Sequence, residues 1–537
     1  VIEEKLVGIY SEILGVDSDI IGVNSKFFDL GGNSLNLISL KNKIKEVFNV
    51  LLNVPELITM NTIKSLAKCI NDREQVEFSR ILKAEEMDYY PLSSAQKRMY
   101  FLYELDKESV TYNLPLVAKL KGTLNEVNLE SSFQKLIQRY ENLRTIFEFV
   151  DDKPVQRVLK EIDFSVTYLN KEIDLNSTID EFVKPFDLSQ GPLFRVGIIK
   201  VSSEEHIMIF DCHHIITDGV TNNILLVDFM SIYNEKELIV PQIQYKDYVI
   251  WQLNDYQVTI DKQRDYWLNE FSDEVSSLKL PVDNNNLMDV EKEGGRFQFL
   301  FDQEKKNKLN SLAKKENTTL FILLFSVYNL LLSKLSNQED IIIGTSASGR
   351  QHVDLNGVTG MLMNVLALRN HPKGDKKFSE FLKEVSEKAF NAFENQDYPL
   401  EDLFDELGLK RSSSLHPLFN VMFEYFNFEL PNFDSSKLSI EKYDYDCKIS
   451  KFDMTLRVNE LEEGLEFTLE YDKHLFNHSS VERFGDYFSR IIDFVIDDSG
   501  VLLKDINVLS SEELEQQLVA FNSTDKDYGV AKSIIDV

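Results

Sequence analysis

The sequence predicts a small all-α bundle followed by a larger α/β (α+β) body in two lobes. Three observations predict it. Apolar residues recur at helical spacing through residues 1–75, a polar and charged stretch occupies 71–90, and strand-like and helical runs alternate from about 90 to 505. The roughly 415 residues of the last region exceed one ordinary hydrophobic core, so two lobes are expected. The boundaries read as 1–75 for the bundle, 76–87 for a linker, 88–265 and 266–505 for the lobes, and 506–537 for a tail without a domain's worth of core.

Each element has its own signal. Ile2, Leu6, Ile9 and Ile13 form one helical stripe, which Gly15 closes. After a loop over 16–32, a second helix from about Ser34 to Phe48 carries Leu37, Leu40, Ile44 and Val47 on one face. A last helix carries Ile63, Leu66, Ala67 and Ile70. In the body, 116–120, 206–210, 297–301, 341–343 and 465–471 read as strands. Residues 129–140, 222–233, 306–335 and 378–395 read as helices.

Composition bounds the function. The 537 residues are 43% hydrophobic and 27% charged, which is globular, and the formal net charge of −31 argues against a nucleic-acid partner. Cys69, Cys212 and Cys447 are far apart and odd in number, so no disulfide framework is expected and a reducing cytosol fits. The chain opens Val-Ile-Glu-Glu without a signal-peptide pattern, and the missing initiator Met suggests a piece of something longer. The most apolar stretch, Leu320 to Leu332, is 13 residues and reads as a buried helix; a membrane span needs about 20.

Two motifs carry chemistry. In Phe27-Phe28-Asp29-Leu30-Gly31-Gly32-Asn33-Ser34-Leu35, two glycines allow a tight turn and Ser34 stands at a helix mouth. On this pattern alone an ordinary N-cap is the plain reading of that serine. In His213-His214-Ile215-Ile216-Thr217-Asp218-Gly219, an apolar strand ends in adjacent histidines just before a helix bearing Ile224 and Phe229. Histidine suits proton transfer near neutral pH. Neighbouring residues on an extended segment point opposite ways, which disfavours one shared metal ion; a purely structural His pair stays open. Asp218 follows a nearly all-apolar strand, so its carboxylate is expected to be buried and paired.

Gly-Gly-x-Ser-Leu at the second helix of a small bundle resembles a peptidyl carrier protein, and Leu57, Asn61, Thr62, Ile63 and Leu66 resemble the approach to that family's last helix. The resemblance implies 4'-phosphopantetheine on Ser34, attached by a phosphopantetheinyl transferase. Asn33 stands where His or Asp is usual. The HHxxxDG pattern behind a carrier resembles the condensation domain of nonribosomal peptide synthetases, a relative of chloramphenicol acetyltransferase. Further stretches match in order: Ser93 to Met99, Tyr112 to Pro115, Arg139 to Phe147, Tyr245 to Tyr248, Ile343 to Arg350, Gly360 to Asn364, Gln396 to Glu401 and His416 to Phe423. Tyr140 and Ser346 depart from the usual His and Pro.

The resemblance implies a V-shaped body with His214 at its centre and a cleft open on both faces. It implies amide formation between a donor acyl or peptidyl thioester and the amine of an acceptor aminoacyl thioester, both on phosphopantetheine arms. His214 matches the active-site histidine, as general base or as orienting group. The Gly219 amide is the implied oxyanion donor, and His213 a structural neighbour. Arg144 and Arg350 are the implied partners of Asp218, and Ser348 and Asn364 the implied tunnel residues. Carrier order makes Ser34 the donor side. The stretch Leu509 to Thr524 resembles a linker into an adenylation domain, so adenylation domains on either side and a downstream acceptor carrier are the expected partners. An epimerisation domain or a non-catalytic carrier-docking module remain alternatives; heterocyclisation is disfavoured, because that family has an Asp-based motif in place of the His pair.

Overall fold

The computed structural model describes residues 1–32, 34–60, 62–75, 80–169, 174–284, 293–409, 417–426, 438–443, 445 and 449–524. Asn33, Asn61, His416, Cys447, linker residues 76–79 and the tail from 525 lie outside the described residues.

The N-terminal bundle follows its periodicity. The helix Ile2–Leu14 stops at Gly15, which takes a left-handed φ of 66°. Its buried Leu6, Ile9 and Tyr10 meet Leu37, Leu40 and Ile44 of the helix Ser34–Phe48 and Ile63, Leu66 and Ile70 of the helix Ile63–Asn71. Thr62 and Ser65 cap the last helix reciprocally. The Tyr10 ring meets Phe27 edge-on at 5.1 Å, so the core anchors the turn that leads to Ser34.

The segment after the bundle lies on the body. Ile81 is buried with Tyr245, Tyr248 and Leu355, and Arg80 bridges Glu46 of the bundle and Asp354 of the body. The bundle's second helix also meets the body, with Lys41 3.1 Å from Glu394 and the Asn42 amide donating to the Arg350 carbonyl at 3.4 Å.

Two main sheets build the body. The first runs Leu438–Lys442, Leu116–Gly122, Glu205–Cys212, Phe194–Lys200, Thr167–Leu169. The second runs Asn364–Asn370, Ile341–Ala347, Val421–Phe426, Met454–Leu461, Gly464–Asp472, Gly294–Asp302. A small sheet of Tyr90–Pro91, Lys153–Val158 and Thr145–Val150 flanks the first lobe.

Two features depart from the expected layout. The strand Leu438–Lys442 belongs by number to the second lobe but pairs antiparallel with Leu116–Gly122 of the first. It covers an otherwise open sheet edge and buries Leu438 in the first lobe's core, so the division at 265/266 is crossed by a returning segment. The single helical run expected over 306–335 is two helices, Gln303–Lys315 and Leu320–Ser336, bent by 97°. Asn317 takes a left-handed φ of 52°, and the Thr319 hydroxyl accepts from the Ile322 amide to start the second helix. That second helix is buried from Ile322 through Ser333. Among the described residues no single helix is long and apolar enough to cross a membrane.

Candidate active site

The strand Glu205–Cys212 is buried from His206 to its end and runs into a turn over His214–Ile216. Backbone bonds hold this turn from two sides: the His213 amide donates to the Leu193 carbonyl at 3.0 Å, and the His214 amide to the Tyr112 carbonyl at 2.8 Å. The two histidines then part, as expected for consecutive residues of extended chain. His213 is buried, with Nδ1 accepting from the Ile215 amide at 3.1 Å and its ring edge-on to Phe186. Burial, then the neighbouring His214 and Lys451, lower its pKa to about 3. It is a neutral packing residue.

His214 faces a cavity of about 1100 Å³. Its Nδ1 lies 2.7 Å from the Thr217 carbonyl. A carbonyl only accepts, so Nδ1 carries the proton and Nε2 keeps its lone pair. Burial first, and the Lys451 ammonium second, lower the His214 pKa to about 4 against smaller opposing effects of Thr217 and Asp218. The imidazole is therefore neutral at physiological pH.

Asp218 caps the helix Gly219–Tyr233 and does more besides. Its Oδ1 accepts from the Thr221 amide at 2.7 Å, and Oδ2 accepts from the Leu362 and Met363 amides at 3.0 and 3.2 Å. Arg350 grips both oxygens, Nη1 to Oδ2 at 3.0 Å and Nη2 to Oδ1 at 3.2 Å. Burial alone would push the carboxyl up; Arg350 and Thr221 outweigh it and hold it below its usual range. Arg350 also donates to the Ser348 and Val358 carbonyls and the Thr221 hydroxyl, so one buried pair ties the histidine loop to the second lobe.

Arg144, the other partner expected for Asp218, is not at this pair. It closes the turn over Glu141–Arg144, donates to the Leu159 carbonyl at 2.6 Å and lies 3.7 Å from Glu141. Its neighbour Asn142 is the inward member of that stretch. It donates to the Ile216 carbonyl at 2.9 Å and accepts from Thr359 at 2.6 Å. The Tyr245 hydroxyl donates to the Met361 carbonyl at 2.6 Å and meets Ser93 at 2.9 Å. At Gly349, with φ of 64°, a Cβ would stand 1.8 Å from the Leu362 carbonyl oxygen, so the approach of these two loops requires glycine.

Gly219 and Ser348 line the cavity beside His214. Asn364 is not on its wall. Its amide spans the Gln396 and Tyr398 carbonyls, both at 2.8 Å, and thereby pins the loop before Leu400–Glu406. Lys451 lines the cavity too, and sequence reasoning passed over it. A lysine before Phe-Asp at the start of a strand carries no local signal. Thr217 was likewise assigned no role, although its carbonyl sets the His214 tautomer.

The bundle reaches the same cavity. Phe28, Asp29, Gly31 and Gly32 form part of its wall, and Asp29 pairs with Lys314. Ser34 begins the helix two residues beyond Gly32. Gly31 is left-handed, with φ of 92°, and a Cβ on Gly32 would lie 2.4 Å from the Phe27 ring. Gly32→Ala is expected to displace Phe27 and destabilise the bundle by about 1–3 kcal/mol, as read from its unfolding in urea.

Residues 4–70 match the phosphopantetheine attachment site model, and residues 86–518 match the condensation domain model, a little beyond the 88–505 expected. The chain belongs to the condensation-domain family. Family members are the amide-bond-forming transferases of nonribosomal peptide synthetases, and the N-terminal bundle is a carrier domain for 4'-phosphopantetheine. The chain is 40% identical over 534 residues to bacitracin synthase 3 of Bacillus licheniformis, covering 99% of this chain and 8% of that protein. It is 38% identical over 508 residues to gramicidin S synthase 2 of Brevibacillus brevis, covering 94% and 11%. The chain thus spans about a tenth of the length of these relatives. Among solved structures, the X-domain in its complex with OxyB from teicoplanin biosynthesis superposes with a TM-score of 0.71 at 21% identity, over 81% of this chain and 99% of that one. At that identity the likeness concerns the fold alone, the two-lobed acetyltransferase-like architecture.

Proposed function

We propose that this chain joins a donor acyl or peptidyl thioester, carried on its own Ser34, to the amine of an aminoacyl thioester brought by a downstream carrier. The observation that carries this reading is that the Gly31-Gly32 turn before Ser34 and the His214 imidazole lie on one cavity. Helix N-terminal amides favour the phosphate of the attached arm. Phosphopantetheine, when bound, supplies the thiol that holds the acyl group as a thioester.

The residues divide the labour as follows. His214 accepts a hydrogen bond from the neutral amine at Nε2 and aims the nitrogen lone pair at the thioester carbon. The C–N bond forms, and negative charge moves to the former carbonyl oxygen. The Gly219 amide, at the first position of its helix, is the donor to that oxyanion. The C–S bond then breaks, and the amine's proton leaves for the departing sulfur. An imidazole with a pKa of about 4 is a weak base against an α-ammonium of about 8. Orientation of an already neutral amine is therefore its main task, with proton acceptance confined to the stage at which C–N bonding has acidified the nitrogen. Tethering of both substrates replaces diffusion by a high effective concentration.

The partners of this reading are a phosphopantetheinyl transferase, adenylation domains on either side that load the carriers, and the acceptor carrier. Free Cys69 and Cys212 suit a cytosolic setting. Treatment with a transferase and coenzyme A should add one arm, seen by intact mass, and Ser34→Ala should abolish it. Given a donor-loaded arm and an aminoacyl carrier, the protein should release amide-linked product onto the acceptor. An arm that persists in Ser34→Ala, or loaded carriers that yield no amide, would overturn the reading.

A further inference from the structure

The helix Gly219–Tyr233 carries a second polar group to the cavity wall, one turn beyond Gly219. Asn222 lines the same cavity as His214 and Gly219. Residues three apart in a helix share a face and stand on the order of 5–6 Å apart, so the Asn222 side chain is a neighbour of the Gly219 amide. At Gly219 a Cβ would meet nothing within 4 Å, which leaves the backbone there open to a bound group.

Neighbouring bonds set the direction of the Asn222 amide. Its backbone N–H donates to the Asp218 carbonyl at 2.9 Å, and its Oδ1 accepts from the hydroxyl of the buried Thr217 at 2.6 Å. The other acceptor within reach of that hydroxyl, the Asp218 carbonyl, is at 3.4 Å, so the proton goes to Oδ1. The Thr217 carbonyl in turn accepts from His214 Nδ1 at 2.7 Å. Two hydrogen bonds and one residue therefore join the Asn222 amide to the imidazole. With Oδ1 taken by Thr217, the two donors of Nδ2 point away from it. Among the described residues Nδ2 makes no hydrogen bond, and it is not shut away from solvent.

We propose that Asn222 is a catalytic residue of amide formation, its Nδ2–H acting beside the Gly219 amide as a second donor to the carbonyl oxygen of the donor thioester. This rests on the reading of the chain as joining two thioester-bound substrates at His214. Attack by the acceptor nitrogen forms the C–N bond and moves the carbonyl π pair onto oxygen. Cleavage of the C–S bond returns that pair to the carbonyl, and the amine proton passes to the departing sulfur. Between these events the oxygen carries the negative charge and has lone pairs for more than one donor. An amide already held in place by Thr217 needs no reorganisation at that moment.

The test uses the full chain with Asn222→Ala and Asn222→Asp. The aspartate keeps an oxygen for the Thr217 hydroxyl but has no donor, so it separates a donor from a mere support of Thr217. Single-turnover amide formation with the donor-loaded protein and an aminoacyl carrier should fall about 10²-fold in Asn222→Ala and further in Asn222→Asp, whose charge opposes the oxyanion. Half-saturation by the acceptor carrier should not move. With a carbon-13 carbonyl thioester on the arm and no acceptor present, the infrared carbonyl band should lie at lower frequency in wild type than in either variant, because a hydrogen bond weakens the C=O bond. A rate near wild type in Asn222→Asp, or one carbonyl frequency in all three proteins, would overturn the proposal. Should the wild-type protein form no amide, the functional reading fails, while the infrared band still decides whether Asn222 reaches the thioester.

Discussion

Asp218→Ala is expected to cost the condensation body about 3–5 kcal/mol, because it leaves Arg350 buried without its counter-charge. Arg350 is only 6% exposed and lies between the lobes. A carboxylate that merely capped the helix would cost about 0.5–2 kcal/mol on removal. The two outcomes are far enough apart for thermal melting to separate, since each kcal/mol moves the midpoint of a domain of this class by roughly 2–4 °C. Asp218→Asn, which keeps a capping oxygen but not the charge, should fall between. The double variant Asp218→Ala with Arg350→Met should recover part of the loss, because neither charge is then stranded. The pH dependence has a fixed sign. The folded carboxyl sits below its ordinary value of 3.8, so its stabilisation is complete above that value and disappears as the pH falls through the lower folded one. A fully stable but inactive Asp218→Ala would refute the structural role and move this residue into the chemistry.

His214→Ala should behave in the opposite way: near-native melting at neutral pH and a loss of about 10²–10⁴ in the rate of amide formation. Among the described residues its ring bonds the protein through Nδ1 to the Thr217 carbonyl, and it lines the cavity. Single-turnover transfer from a loaded Ser34 to an aminoacyl carrier reads this directly. A second readout separates a working imidazole from a packing one. The folded pKa of about 4 lies below the unfolded value of 6.5, so the unfolded chain binds more protons between them. Wild type should therefore lose stability relative to His214→Ala as the pH falls from about 6.5 to about 4, by at most roughly 3 kcal/mol. Retention of wild-type transfer rates in His214→Ala would remove the imidazole from the mechanism.

The parts of the site that could be read beforehand share a local cause. The stretch Ile207–Phe210 is apolar, and the helix beyond repeats Leu225, Phe229 and Ile232 at helical spacing. A polar cluster wedged between two such runs has to lie in a strand-to-helix loop. Burial of Asp218 followed from the same pattern, because a carboxylate there has no route to water. The choice of partner did not follow. Arg144 is nearer in sequence, yet a turn bonded to Leu159 and Glu141 carries it away, while Arg350 arrives from the other lobe. Asn364 was a tunnel residue only as the family resemblance implied it. Whether such an amide faces a cavity or spans two carbonyls depends on where residues 396–398 pass.

By itself the sequence determined the helical bundle, the Gly-Gly turn before Ser34, the histidine loop between an apolar strand and an apolar helix, and the burial of Asp218. Each rests on periodicity or turn chemistry acting within a few residues of chain. Only the tertiary structure decided that Arg350 rather than Arg144 closes the pair, that Leu438–Lys442 crosses to the first lobe's sheet, that the run after Lys306 breaks at Asn317, and that Lys451 stands beside Tyr112. These depend on contacts between segments tens to hundreds of residues apart. Which distant group meets a buried charge or an open sheet edge is set by the packing of whole lobes, and no local pattern encodes it.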